Sequence, residues 1–161
     1  MADWVPSTVA VQWVPGEGTR MVGRDSRGFM LALSGGRPQV DDATWRGLKS
    51  SDLLLLAAAG CATYDLVTIL HKQRQPVEHI VVRCRGEQEP DPPYRFRRIH
   101  LEYHIHGRVD PDKVARAVAL LESKYCSVIV TLKQAVPISS EWHVHSEDLN
   151  SLSSPFTSKG R

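Results

Sequence analysis

Three cysteines and two His-x-His pairs are the residues of this chain whose types and spacing could do chemistry. Cys61 stands in the run LLLLAAAGCATY, Cys84 in VVRCRG and Cys126 in SKYCSV. A thiol is a nucleophile only as its thiolate, so each cysteine is judged by what would charge it. Cys61 lies among alanines, where a free cysteine is either a small core residue or a nucleophile served by a cation from elsewhere. Its neighbour Gly60 favours the second reading, because glycine inside a helix costs about 1 kcal/mol and suggests close approach of another group. The character of Cys126 depends on the conformation of Ser127–Leu132 (SVIVTL). If that segment is a helix, its N-terminus favours a thiolate at Cys126; if it is a strand, that argument disappears. Propensity alone makes it a strand. Cys84 falls on the apolar face of an alternating strand and reads as structural.

The histidines pose a metal question. His104-x-His106 and His143-x-His145 each place two imidazoles on one strand face, and pairing of the strands could assemble a site. Neither pair has an obvious carboxylate or thiolate to complete a ligand set. The expectation is a solvated sheet face and no metal.

These residues need elements to position them. Residues 7–14 and 29–33 are apolar runs bounded by glycine-containing turns, with a further strand around Met21-Val22, so the first third reads as β. Residues 38–47 form a polar connector. Ser50–Lys72 reads as a helix: Ser50, Ser51 or Asp52 caps it, Asp52 suits its positive end, and Pro76 stops it. The run beginning at Leu53 is apolar on every side, which places this helix in the middle of the fold. Alternation over residues 78–87 and 98–106 gives two strands, the second with Ile99, Leu101, Tyr103 and Ile105 inward. One wet face is the mark of an antiparallel sheet. Asp110-Pro111 opens an amphipathic helix running to about Tyr125, with Val114, Ala117, Val118 and Leu121 on one face. A last strand over 136–145 precedes a serine-rich tail from Ser146. The class is α+β.

Composition bounds the reading. The chain has 161 residues, one domain's worth, and a compact fold of that length buries roughly 70% of its unfolded surface. A hydrophobic share of 42% with 24% charged residues is that of a globular protein. Twenty basic against eighteen acidic residues give a net charge of +2, too slight to imply nucleic acid or an anionic membrane. The longest uncharged stretch, residues 53–64, is shorter than the ~20 residues a membrane span needs. No basic flank followed by an apolar core opens the chain, so no secretory signal is expected. An odd cysteine count without CxxC speaks against a disulfide scaffold or a cysteine-rich zinc module, and makes a reduced, cytoplasmic setting the default.

Three segments together resemble the OsmC/Ohr family: SSDLLLLAAAGCATYDLVTILHKQRQ, VVRCRGEQEPDPPYRFRRIHLEYHIHG and LLESKYCSV. The first matches the family's central helix with its first cysteine, the last its second cysteine motif. Coverage runs from about Thr19 to His145. The details DLVTILHKQRQ and SKYCSV stand closer to the OsmC-like branch than to Ohr itself. The resemblance implies an OsmC-like α+β fold: antiparallel sheets around a buried central helix, a single domain over 1–161 with its core at about 7–145, and an intertwined homodimer. It makes Ser127–Leu132 a helix. It also implies thiol-dependent reduction of organic hydroperoxides, with Cys61 as the peroxidatic and Cys126 as the resolving cysteine.

Two further residues carry over. Arg24 in VGRDSRG resembles the family's N-terminal GGRDG arginine, and Asp52 stands where the best-characterised members have a glutamate. Asp is one methylene shorter, and nine helical positions put Asp52 about half a turn out of phase with Cys61. The implied cycle needs an organic hydroperoxide and an external dithiol reductant, but no organic cofactor, metal, nucleic acid or membrane. The alternative is a non-catalytic OsmC-like, stress-associated dimer that binds a small molecule at its interface.

Overall fold

The computed structural model describes residues 7–35 and 47–146. Most of the expected connector at 38–47 and of the tail from Ser146 lies outside them. The chain gathers into two compact units, Met1–Leu54 and Leu55–Arg161.

The first unit holds an antiparallel meander of β1 (Val9–Trp13), β2 (Arg20–Asp25) and β3 (Met30–Ser34), in that spatial order. The β2–β3 turn is built by Asp25, whose carboxylate accepts the N–H groups of Arg27 and Phe29 at 2.9 Å each. Gly28 takes φ +91°, a conformation that costs glycine nothing. Arg27 Nε donates to the same carboxylate at 2.8 Å and holds the Asp25 carboxyl below its usual range. Val11, Gly23 and Leu31 lie opposite one another in register, so Val9, Val11 and Trp13 share a face with Leu31. These four side chains are exposed in the single chain, whereas Leu33, in register with Trp13 through Met21 on the same face, is buried.

Helix α1 (Ser50–Lys72) has the extent expected. Its cap is different. The Lys49 carbonyl accepts the N–H of Leu53 at 3.2 Å, so Ser50, Ser51 and Asp52 already lie within the first turn. The Asp52 carboxylate still stands at the positive end. The all-round burial expected of α1 is also corrected. Ala58, Ala62, Leu66 and Leu70 are fully buried and form one i, i+4 stripe, whereas Leu56 and Tyr64 are 55% and 73% exposed. By length and composition alone α1 could cross a membrane, because a window that tolerates a charge runs on past Asp65. Its buried stripe belongs to a protein core.

The second unit completes that core with a sheet ordered β4 (Val77–Gln88), β5 (Phe96–Gly107), β6 (Ile138–His145). Ile99, Leu101, Tyr103 and Ile105 of β5 are fully buried, as their alternation predicts. Cys84 of β4 packs against the same cluster, and burial pushes its thiol up to about 11. The expectation of antiparallel pairing holds for β4 with β5 and fails for β5 with β6, which are parallel. The cause is the helical crossover between them, which returns the chain in the same direction. Alternation cannot distinguish the two, since each face repeats with the same period.

That crossover begins at Asp110, whose Oδ1 accepts the Asp112 N–H at 2.9 Å to cap α2 (Pro111–Leu120). The helix widens into a π-turn over Leu121–Tyr125, closed by the Cys126 N–H on the Leu121 carbonyl at 2.9 Å. Such widened turns are frequent at functional sites. Helix α3 (Ser127–Leu132) comes next. The resemblance, against strand propensity, was right about this segment.

Candidate functional site

Cys61 and Cys126 come together. Cys61 projects from the middle of α1, while Cys126 caps α3 in extended backbone, its carbonyl accepting the Val130 N–H at 2.9 Å. Their sulfurs and an Asp65 carboxylate oxygen all lie within 4.8 Å of one another. The Cys61 S–H donates to Asp65 Oδ2 at 3.9 Å, and its sulfur is 4.0 Å from Ser127 Oγ. All three cysteines are free thiols, and Cys84 stands outside this group.

Two opposing effects act on Cys126. The Ile129 N–H, at the start of α3, points to its sulfur and favours the thiolate, as a helix N-terminus should. Burial is larger. It pushes the thiol up to about 12, with the neighbouring Cys61 and Asp65 adding in the same direction. Cys126 therefore rests as a neutral thiol beside a half-buried Cys61.

Asp65 and Ser127 were not anticipated from sequence. Asp65 had a readable signal, since residues four apart share a helix face. Ser127 simply succeeds Cys126 at the start of α3. The expectation for Gly60 is corrected: a Cβ there would meet nothing within 4 Å, so no group among the described residues closes on it. Arg24 and Asp52 belong to the first unit. Arg24 Nη2 donates to Met30 Sδ at 3.4 Å across the β2–β3 pair, and Asp52 is exposed in the first turn of α1. Sulfur and carboxylate donors at Cys61, Asp65 and Cys126 form one group able to hold a metal, although burial opposes the charged Cys126 that a metal would require.

The outer face of β5 and β6 differs from expectation. The His-x-His pairs do have carboxylates, Glu102 and Glu141, each two residues ahead of its pair, and strand register brings the sets together: Glu102 lies opposite Glu141, His104 opposite His143 and His106 opposite His145. His104 stacks on His143 and His145, with ring centroids 5.2 and 5.3 Å away. Burial holds the His104 and His106 imidazoles below their ordinary range. Burial alone would raise the Glu102 carboxyl, but His104 and Arg83 together keep it lowered.

Residues 41–141 match the family model described as OsmC-like protein. The chain belongs to the OsmC-like family. Protein YhfA of Escherichia coli (strain K12) is 34% identical over 135 residues, covering 83% of this chain and 95% of that one. Among solved structures, an OsmC-like protein from Mycoplasma pneumoniae superposes with a TM-score of 0.77 at 14% identity, covering 91% of this chain and 100% of the other. An organic hydroperoxide resistance protein OsmC from Legionella pneumophila does so with a TM-score of 0.66 at 15% identity, covering 89% and 99%. At these identities the structures establish the fold. The α+β class, two small sheets and the central helix are those of an OsmC-like protein.

Proposed function

We propose that this OsmC-like protein is a two-cysteine, thiol-dependent reductase of organic hydroperoxides. The observation that carries the reading is the approach of the Cys61 and Cys126 sulfurs, on separate elements, to within 4.8 Å. Only a modest movement then separates them from bonding distance, about 2.05 Å in a disulfide. The Legionella relative's description as an organic hydroperoxide resistance protein supports the substrate class.

The cycle starts at Cys61. Its thiolate attacks the distal oxygen of ROOH, the O–O bond breaks, and the alkoxide leaves as ROH after taking a proton. Cys61 becomes a sulfenic acid. Cys126 attacks that sulfur, loses its proton, and water departs as the disulfide forms. An external dithiol then restores both thiols. The high resting pKa of Cys126 suits the second role, since it holds back reaction with peroxide until Cys61 is oxidised. Asp65 is placed to accept the proton that Cys61 gives up. The thiolate still needs a cation. Arg24, with Asp52 to orient it, is assigned that role from the family motif. The exposed apolar faces of β1–β3 and of α1 fit burial by a second copy, and so an intertwined homodimer. Both thiols must rest reduced, which suits the cytoplasm.

A second reading, a non-catalytic dimer that binds a small molecule, is favoured by one fact: among the described residues, the charged group facing the Cys61 sulfur is the Asp65 carboxylate. Substoichiometric organic hydroperoxide separates the two. Rapid loss of two thiols per hydroperoxide consumed and a mapped Cys61–Cys126 disulfide are expected. Thiol loss no faster than that of a free cysteine, or a dominant Cys84 link, overturns the enzyme. Light scattering should give about 36 kDa, twice the 18.0 kDa chain.

A further inference from the structure

The outer face of β5 and β6 carries a patch that the thiol cycle does not use. Glu102 and Glu141 face each other directly across the parallel pair. Like charges directly opposite on a sheet repel, so a cation between them is favoured. Arg83 partly answers Glu102, its Nη1 3.7 Å from Oε2. Glu141 Oε1 lies between two imidazoles, 3.7 Å from Nε2 of His100 and of His143. One oxygen of each carboxylate and one ring nitrogen of His143 all fall within 4.8 Å of one another. Ligand atoms around a tetrahedral zinc, at about 2.0–2.2 Å from it, stand roughly 3.4 Å apart. The Glu141 and His143 side chains are 53% and 45% exposed, free to close that gap by small rotations. His104 lies over this set, stacked on His143 with its Nε2 2.9 Å from Glu102 Oε1. An imidazole so placed orients a ligating carboxylate.

We propose that this face is a binding site for a divalent transition-metal ion, with Glu102, Glu141 and His143 as ligands and His104 positioning Glu102. Two carboxylates and an imidazole suit zinc, copper or nickel, whereas all-oxygen sets suit magnesium and calcium. Three protein ligands leave a coordination position open. Both carboxylates line a concavity of about 370 Å³, with Arg83, Arg85 and His100 among its other walls. The site is independent of the peroxide reading.

The thiol group at Cys61, Asp65 and Cys126 is the rival metal set, and the test separates them. Zn²⁺ alone is titrated calorimetrically into the full chain, into Glu141→Gln, into His143→Ala and into a Cys61→Ser/Cys126→Ser double variant. One ion per chain is expected, retained in the cysteine double variant and weakened about tenfold or more by either outer-face substitution. Co²⁺ should then give visible absorption without thiolate charge transfer. Both outer-face residues are exposed, and a wild-type unfolding midpoint for each variant in metal-free buffer confirms that folding is intact. Absence of saturable binding overturns the proposal. So does binding that disappears with the cysteines and ignores Glu141 and His143.

Discussion

The two faces of β5 put opposite physics on one strand. Inward, Ile99, Leu101, Tyr103 and Ile105 are fully buried in the cluster that also contains Cys126. Outward, His100, Glu102 and His104 are partly wet, and their partners are neighbouring polar and titratable groups at 2.8–3.7 Å. On the inner side a charge is expensive, so a single thiol or phenol is displaced far from its ordinary protonation range. On the outer side solvent screens each charge, and the groups can rearrange about an ion. Burial fixes what the inner groups are. Register fixes which outer groups meet.

The contrast breaks most visibly at adjacent residues. Leu101→Ala removes a fully buried side chain and leaves a cavity, at a cost of about 2–5 kcal/mol. Glu102→Gln, one residue along, half-buried and partnered by His104 and Arg83, should cost about 1 kcal/mol or less. Urea unfolding with unchanged m-values measures both. Comparable losses at the two positions would mean that the Glu102–His104–Arg83 network supports the fold as strongly as the core does.

Protonation sharpens the same contrast. The folded state holds the Cys126 thiol protonated to about pH 12, while the ordinary value for the group is 9.0. Above pH 9 the unfolded chain loses that proton and the folded chain keeps it, so the native state binds more protons and stability falls as pH rises. The slope from this one group is at most about 1.4 kcal/mol per pH unit between those values. Tyr103, also pushed upward by burial, adds to the fall above its ordinary range. Cys126→Ala should flatten the profile between pH 9 and 11 relative to wild type. Parallel profiles would show that Cys126 already ionises in the native protein.

Legibility in the sequence tracks the reach of each signal. The extent of α1 could be read because the apolar run, the first-turn Asp52 and the Pro76 stop are all local. The inward set of β5 could be read because alternation is local too. Ser127–Leu132 misled propensity, since its β-branched residues are held as helix by the packing of Ile129 and the turn at Cys126. The direction of β6 and the meeting of Glu102 with Glu141 depend on a register set some 39 residues apart, which no window contains. The one-sided burial of α1 was hidden for a different reason. An apolar helix reports that it wants burial on every side, not whether its own chain supplies it.

A smaller effect than that of Leu101→Ala tests whether the inner face contains any polar chemistry that matters to the fold. Tyr103 is fully buried in the core, yet its hydroxyl donates to Glu122 Oε1 at 3.1 Å. Glu122 is held in turn by Lys133, whose Nζ lies 3.2 Å from Oε2 and also donates to the Glu122 carbonyl at 3.3 Å. This chain of contacts ties the inner face of β5 to the π-turn that ends at Cys126. Tyr103→Phe keeps the ring and opens no cavity, so only the hydrogen bond is lost. Net hydrogen bonds contribute about 1 kcal/mol, and Glu122 retains Lys133 and some solvent to satisfy it. A loss near that value in urea is therefore expected, well below that of Leu101→Ala. Cys126 should feel the change as well, because the π-turn that positions it loses one of its ties to the sheet. Alkylation of Cys126 at fixed pH in Tyr103→Phe should be faster than in wild type. An unchanged midpoint and an unchanged alkylation rate together would show that Tyr103 serves the inner face as hydrocarbon alone.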